Sequence, residues 1–157
     1  MNHLDPTDNA GVLAPAPVFF GVAVAAGFLL EWLFPTSLFT FPYSAAVGLF
    51  LIAASVILVI FAVLPLVRAG TAFDARKPTT SVVTEGAFGF SRNPTYVSLA
   101  ALQVGIGFLS QSLWVIFTAV AAVAITHWGV VLREERYLER KFGEEYRSYA
   151  AKVRRWL

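Results

Sequence analysis

"YSAAVGLFLIAASVILVIFAVLPLV", Tyr43 to Val67, carries no charged residue from end to end. About 20 apolar helical residues cover a hydrocarbon core of roughly 30 Å, and this run exceeds that length. Outward from it lie three further apolar blocks: Val18 to Phe34, closed by Pro35; Tyr96 to Leu109; and Leu113 to Leu132. The block from Tyr96 is short for a span and contains Ser98, Gln103, Gly105 and Gly107; Gln103 and the two glycines read as helix-packing features, since small residues let membrane helices approach closely. Hydrophobic residues make up 57% of the 157-residue chain and charged ones 14%, against about 25% charged in an average soluble domain. The pattern predicts an all-α integral membrane protein of about four transmembrane helices, followed by a C-terminal cytoplasmic amphipathic helix.

The charges orient these spans. All 12 Lys and Arg fall either in the loop between the second and third blocks (Arg68, Arg76, Lys77, Arg92) or after the fourth block, from Arg133 to Arg155. The connections "PTSLFTFP" and "SQS" carry no charge. Under the positive-inside rule the loop and the C-terminal segment face the cytoplasm, which places both termini inside. The expected organisation is one domain over 1–157: a cytoplasmic tail (1–17), two spans (18–67), a cytoplasmic loop (68–93), a helical hairpin (94–132) and cytoplasmic C-terminal helices (133–157). Trp32 and Trp114 fall at the outer interface, as an aromatic belt does. Glu31, one turn from the outer end of its block, reads as an interfacial carboxylate that snorkels, with a substrate contact as the alternative.

Composition also narrows the chemistry. With no cysteine there is no disulfide or thiolate site, and with only His3 and His127 no structural zinc or other metal site is expected. The formal charge of +2 is gathered at one side of the spans, so nucleic acid is not expected as a partner. The tail, with Asp5 and Asp8 and no basic residue, lacks the n-region of a signal peptide and is expected to stay on the protein. No Walker loop, Rossmann glycine motif or nucleophile elbow occurs.

The polar junction "SRNPTY", Ser91 to Tyr96, opens the third block. Asn93 and Pro94 suit an N-cap and first helical position, the asparagine side chain accepting an orphan backbone N–H. Arg92 does not fit a cap, because a cation is disfavoured at the positive end of a helix dipole. It makes sense if an anion sits between it and the helix start. Tyr96 adds an aromatic face and a hydroxyl at the same mouth. Glu134 and Glu135 follow the fourth span and leave it on the side of Arg92. They read either as members of weak surface pairs with Arg133 and Arg136 or as carboxylates that bind hydroxyls or a cationic ligand. His127, seven residues before Glu134 and so on roughly the same helix face, reads as a base, a substrate contact or a satisfied packing residue. Beyond "REERYLERKF" the helix is expected to stop at Gly143 and restart as "EEYRSYAAKVRRWL". There Tyr146, Tyr149, Val153 and Trp156 form an apolar stripe that lies on the inner leaflet or against the cytoplasmic loop.

"RAGTAFDARKPTTSVVTEGAFGFSRNPTYVSLA" and "REERYLERKFGEEYRSYAAKVRRWL" together resemble the isoprenylcysteine carboxyl methyltransferase and phospholipid methyltransferase family, in particular its small bacterial members. The likeness runs from about Arg68 to Leu157, and the first two spans match in hydrophobic character alone. It implies S-adenosylmethionine bound on the cytoplasmic side of a membrane, by source the bacterial inner membrane. Arg92, Asn93, Pro94 and Tyr96 stand at the family's cofactor-binding junction, Glu134 and Glu135 at its acidic pair, and Val83 and Gly86 in the loop approaching the cofactor. Gly70 and Thr71 match a glycine-threonine step. Arg92 and His127 are the catalytic candidates. Many relatives carry histidine at the position of Asn93 and glycine at that of Ser98, which leaves the isoprenylcysteine substrate open. The implied acceptor is a lipophilic small molecule or lipid bearing a carboxylate or an amine, and a base is needed only for the amine. Two other readings compete: an NADPH-dependent membrane reductase of the sterol and steroid reductase type, and a non-catalytic membrane scaffold.

Overall fold

The computed structural model describes residues 8–12, 14–36, 41–72, 74 and 76–157. His3 and Asp5 lie outside the described residues, as does the middle of the connection "PTSLFTFP". The described residues form helices and no strand: α1 Ala16–Leu33, α2 Ser44–Arg68, α3 Pro94–Leu109, α4 Leu113–Thr126, α5 Leu132–Phe142 and α6 Glu144–Lys152. A short 3-10 turn, Gly86–Gly89, precedes α3, and a π-helical turn, His127–Val131, joins α4 to α5 without a break.

Among the described residues three helices are long and apolar enough to cross a membrane: Ala16–Leu33, Ser44–Arg68 and the continuous Leu113–Phe142. The last, at 30 residues, rises about 45 Å and so outruns a core of roughly 30 Å. Its polar third, α5, therefore projects beyond the apolar slab. The 16 residues of α3 rise only about 24 Å. Its first turn, which holds the polar junction, thus sits lower than the charged ends of its neighbours.

Two antiparallel pairs make the bundle. α2 packs on α3, α1 packs on α4, and α3 and α4 join the pairs. Small residues set the spacing between α2 and α3: a Cβ at Gly48 would lie 2.8 Å from the Gly105 carbonyl. Gln103, almost fully buried, fills the α3–α4 seam and donates to the Val115 carbonyl (3.2 Å) and to Thr118 Oγ1 (3.1 Å). Exposed Val, Leu, Ile and Phe cover the outer faces of α1, α2 and α4, the inverse of a soluble bundle and the pattern expected where lipid is the solvent.

The neutral end is tied by side chains. Glu31 accepts hydrogen bonds from the Thr36 amide (2.6 Å), Thr36 Oγ1 (2.7 Å) and Ser112 Oγ (2.7 Å). At that end of α1 this partly exposed carboxylate also ties the helix to the α3–α4 turn. Trp114 Nε1 donates to the Phe34 carbonyl (2.8 Å) across the same gap.

At the basic end the long connection folds back along α2. The helix finishes in a Schellman motif, with the amides of Gly70 and Thr71 donating to the carbonyls of Val67 (3.1 Å) and Leu66 (3.1 Å). Pro65 lacks the N–H that would have met the Phe61 carbonyl one turn earlier. Gly86, at φ 62°, packs against that carbonyl, where a Cβ would lie 2.8 Å from the oxygen. Phe61 is seven residues, about 10 Å, inside the end of α2, so the loop descends to the level at which α3 begins. The segment Asp8–Val12 lies along α5: the Tyr137 hydroxyl donates to Asp8 Oδ1 (2.9 Å), Lys141 pairs with the same carboxylate, and Arg133 Nη1 donates to the Gly11 carbonyl (3.0 Å).

The helix after Gly143 is shorter than the stripe of Tyr146, Tyr149, Val153 and Trp156 implied. α6 ends at Lys152, and Val153 is extended at φ −115°, ψ 132°. Non-helical backbone leaves the carbonyls of Arg154 and Arg155 free to bond outside their own segment, and both do so at the junction.

Candidate functional site

A cavity lies at the start of α3, walled by the returning loop (Ala72, Thr79, Ser81 to Val83, Phe88), the junction (Arg92, Asn93, Thr95, Tyr96), α5 (Glu134, Glu135, Leu138) and α6 (Tyr146, Tyr149). Of the residues singled out by sequence, Val83, Arg92, Asn93, Tyr96, Glu134 and Glu135 line it together. Residues from three separate stretches of chain meet here because the loop descends along α2 and α5 extends past the short α3.

Gly70, Thr71, Gly86 and Pro94 stand behind this lining. Gly70 and Thr71 form the α2 cap, and Thr71 Oγ1 accepts the Thr80 amide (3.0 Å), which shapes the loop that carries Ser81 to Val83. Gly86 anchors the loop to α2. Pro94 is the buried first residue of α3.

The two glutamates have different environments. Glu135 is an arginine-bound carboxylate: Arg92 Nη1 lies 3.3 Å from Oε1, and Arg155 holds both oxygens, Nε at 3.0 and 3.1 Å and Nη2 at 2.8 Å. Its side chain and that of Arg92 are each 14% exposed. This is a desolvated ion cluster rather than the weak surface pairing that Arg133 and Arg136 offered. Glu134 instead accepts the Tyr96 hydroxyl at 2.8 Å. Among the described residues Arg92 Nε is buried with no hydrogen-bond partner, and such an unmet charged donor is costly unless something else satisfies it.

Asn93 occupies the N-cap position but makes no side-chain cap. Its Nδ2 donates to the Arg155 carbonyl (2.8 Å), and the Arg92 amide donates to the Arg154 carbonyl (2.9 Å). Tertiary hydrogen bonds have displaced the local one. The consequence is a helix N-terminus without a side-chain cap, beside an arginine and facing a cavity, a combination suited to an anionic group.

Tyr146 and Tyr149 supply aromatic walls, their rings 6.1 Å apart at 61°. Tyr149 donates its hydroxyl to the Phe88 carbonyl (2.8 Å). Burial, reinforced by the negative charge of Glu135, pushes the Tyr146 hydroxyl up to about 12, and burial raises that of Tyr149 as well. Both therefore stay neutral donors at physiological pH. Sequence reasoning placed these tyrosines on an apolar stripe without assigning them to the site; their spacing of three residues was the available signal.

His127 lies outside the cavity lining. Its ring is 5.9 Å from that of Trp156 and 5.3 Å from that of Trp128. The π turn between His127 and Val131 is the reason: inserting a residue into a 3.6-residue repeat rotates the rest of the helix by up to roughly 100°. His127 and Glu134 therefore do not share the face that a straight helix would give them.

A second, mostly apolar cavity lies between the start of α1 (Ala16, Pro17, Val18), Val59 of α2, and Thr95, Tyr96 and Leu99 of α3, with Asp74 and Lys77 at its rim. Thr95 and Tyr96 line both cavities. The arrangement sets a polar compartment lined by charged groups and aromatic rings against a greasy one, across a wall shared by Thr95 and Tyr96.

No solved structure matches the chain. A stretch of 27 residues is 70% identical to a protein of Haemophilus influenzae described as uncharacterized; it covers 17% of this chain and 43% of that protein. The family description "phospholipid methyltransferase" matches residues 43–145, which include every residue of the polar cavity except Tyr146 and Tyr149. By that match the chain belongs to the phospholipid methyltransferase family.

Proposed function

We propose that the protein binds S-adenosylmethionine in the polar cavity and transfers its methyl group to a lipophilic acceptor housed in the apolar one. The observation that supports this most is the shared wall: Tyr96, hydrogen-bonded to Glu134, separates a charged compartment from a greasy one at the depth where α3 begins.

The residues present fit the cofactor group by group. The unmet Arg92 Nε and the uncapped start of α3 suit its carboxylate. Glu134, bound to a hydroxyl and to no arginine, suits ribose hydroxyls or the α-ammonium. The aromatic faces of Tyr96, Tyr146 and Tyr149 suit the sulfonium and the adenine. When bound, the cofactor supplies an electrophilic methyl group for in-line displacement. The chain's task is to align acceptor and methyl group and to keep water out. The returning loop and α6, which roof the polar cavity, serve the second purpose.

In this reading the basic end faces the cytoplasm, where the cofactor is made, and the acceptor enters from the bilayer. Its nucleophile is an oxygen or a nitrogen. A carboxylate acceptor reacts as the anion it already is, whereas an ammonium must first surrender a proton. Glu134, bound to Tyr96, is the carboxylate at the wall between the two compartments, and Asp74 is the one at the rim of the apolar compartment.

The test is calorimetric titration of detergent-purified protein with S-adenosylmethionine, S-adenosylhomocysteine and NADPH. Micromolar binding of the two adenosyl ligands alone is expected, with Arg92→Ala abolishing it in a folded protein. Binding of NADPH alone overturns the proposal in favour of a reductase, and no binding by a folded sample favours a scaffold. Transfer of labelled methyl from the cofactor into a bacterial lipid extract then identifies the acceptor.

A further inference from the structure

Residues Val153–Leu157 lie beyond the stretch matched to the family, which ends at residue 145, yet they touch the junction repeatedly. The Arg154 carbonyl accepts the Arg92 amide (2.9 Å). The Arg155 carbonyl accepts Asn93 Nδ2 (2.8 Å) and Ser91 Oγ (3.5 Å). Trp156 rests beside His127 on the π turn. The segment is thus a short non-helical strap across the start of α3, fastened to α5 by the Arg155 guanidinium.

That fastening has an electrostatic consequence. A lone Arg92–Glu135 pair would be neutral, and Arg92 would spend its charge inside the protein. Because Glu135 also receives the planar fork of Arg155, through three contacts of 2.8–3.1 Å, the cluster of two arginines and one carboxylate carries a net charge of +1. Glu135 is held at the far side by a bidentate grip, which lysine cannot reproduce. Arg92 makes the longer contact, 3.3 Å, and keeps Nε free. Arg155 itself is outside the cavity lining and 38% exposed.

We propose that Arg155 is a positioning residue: the strap fixes Glu135 from behind, and Glu135 in turn aims Arg92 at the anionic group of the cofactor. The inference rests on the cofactor reading above, but it has a ligand-free consequence. Without the fork, the strap loosens from the junction and the Arg92 amide loses its protection.

The experiment compares wild type, Arg155→Ala and Arg155→Lys in detergent by two measurements, hydrogen–deuterium exchange without ligand and calorimetric titration with S-adenosylmethionine. Expected for Arg155→Ala is several-fold faster exchange over Ser91–Asn93, unchanged exchange in α1 and α2, and at least tenfold weaker cofactor binding. Arg155→Lys, which keeps the charge and loses the fork, is expected to weaken binding by severalfold. Unchanged exchange at the junction overturns the strap. Faster exchange with unchanged affinity overturns the positioning role and leaves a structural one. If wild type binds no S-adenosylmethionine, the cofactor reading fails, and exchange alone decides whether Arg155 holds the junction. Should Arg155→Ala lose protection in α1 and α2 as well, the Arg155→Lys variant is judged by the same two criteria.

Discussion

The Tyr96 hydroxyl donates to Glu134 Oε2 across 2.8 Å, joining the first turn of α3 to the first turn of α5 over 38 residues of sequence. This bond separates the roles of two adjacent acids. Glu135 is neutralised by arginines, while Glu134 keeps a carboxylate for the cavity. Tyr96→Phe removes the donor and leaves the acceptor in place, a change worth about 1–2 kcal/mol, to be read from the thermal midpoint in detergent. In a double-mutant cycle with Glu134→Gln, the coupling should be about 1 kcal/mol or more. Additive effects would show that the bond contributes nothing.

Gly86 and Gly70 share a left-handed backbone, at φ 62° and 61°, but differ in surroundings. A Cβ at Gly70 meets nothing within 4 Å, whereas one at Gly86 falls 2.8 Å from the Phe61 carbonyl. Gly70→Ala is expected to cost about 1 kcal/mol of conformational strain. Gly86→Ala adds a backbone clash and should lower the thermal midpoint several times as far, with cofactor affinity falling as the loop lifts from α2. Equal effects of the two substitutions would refute the loop anchor.

Tyr146 provides a pH test. Its hydroxyl is raised to about 12, chiefly by burial and secondarily by the Glu135 charge, from an ordinary value near 10. The folded state therefore disfavours the phenolate. This contribution to stability is complete below pH ~10 and is lost as pH rises from about 10 to about 12. Ultraviolet titration should show a late tyrosinate step that Tyr146→Phe removes, together with part of the alkaline loss of stability. If the step that Tyr146→Phe removes lies near pH 10 instead, the buried environment is contradicted.

His127 lies beside Trp156, the two rings tilted by 40°, and is outside the lining of the polar cavity. His127→Phe is expected to leave S-adenosylmethionine affinity within about threefold of wild type and the methyl-transfer rate within about tenfold. A loss of rate beyond a hundredfold at unchanged affinity would make the histidine a catalytic group.

Much of this was legible from residue order. The uncharged run from Tyr43 to Val67, the silent connections and the gathering of basic residues were enough to establish a helical membrane bundle, since crossing lipid demands long apolar helices whatever their neighbours do. The same one-dimensional signals marked Gly143 as a break and "SRNPTY" as a polar mouth. They did not reveal that Asn93 gives its side chain to Arg155, because a cap is a local expectation and the competing carbonyl lies 62 residues away. Nor could they separate Glu134 from Glu135, whose difference lies entirely in the groups facing them.

Sequence alone determined the part governed by transfer into lipid and by local backbone propensity: the class of fold, the helices and the charged end. Only the tertiary structure decided the chemistry of that end. A short α3, a loop seated on the carbonyl freed by Pro65, a π turn that swings His127 aside and a non-helical strap from Val153 bring groups together by packing. Packing distances are properties of the folded chain, and no window of residues encodes them.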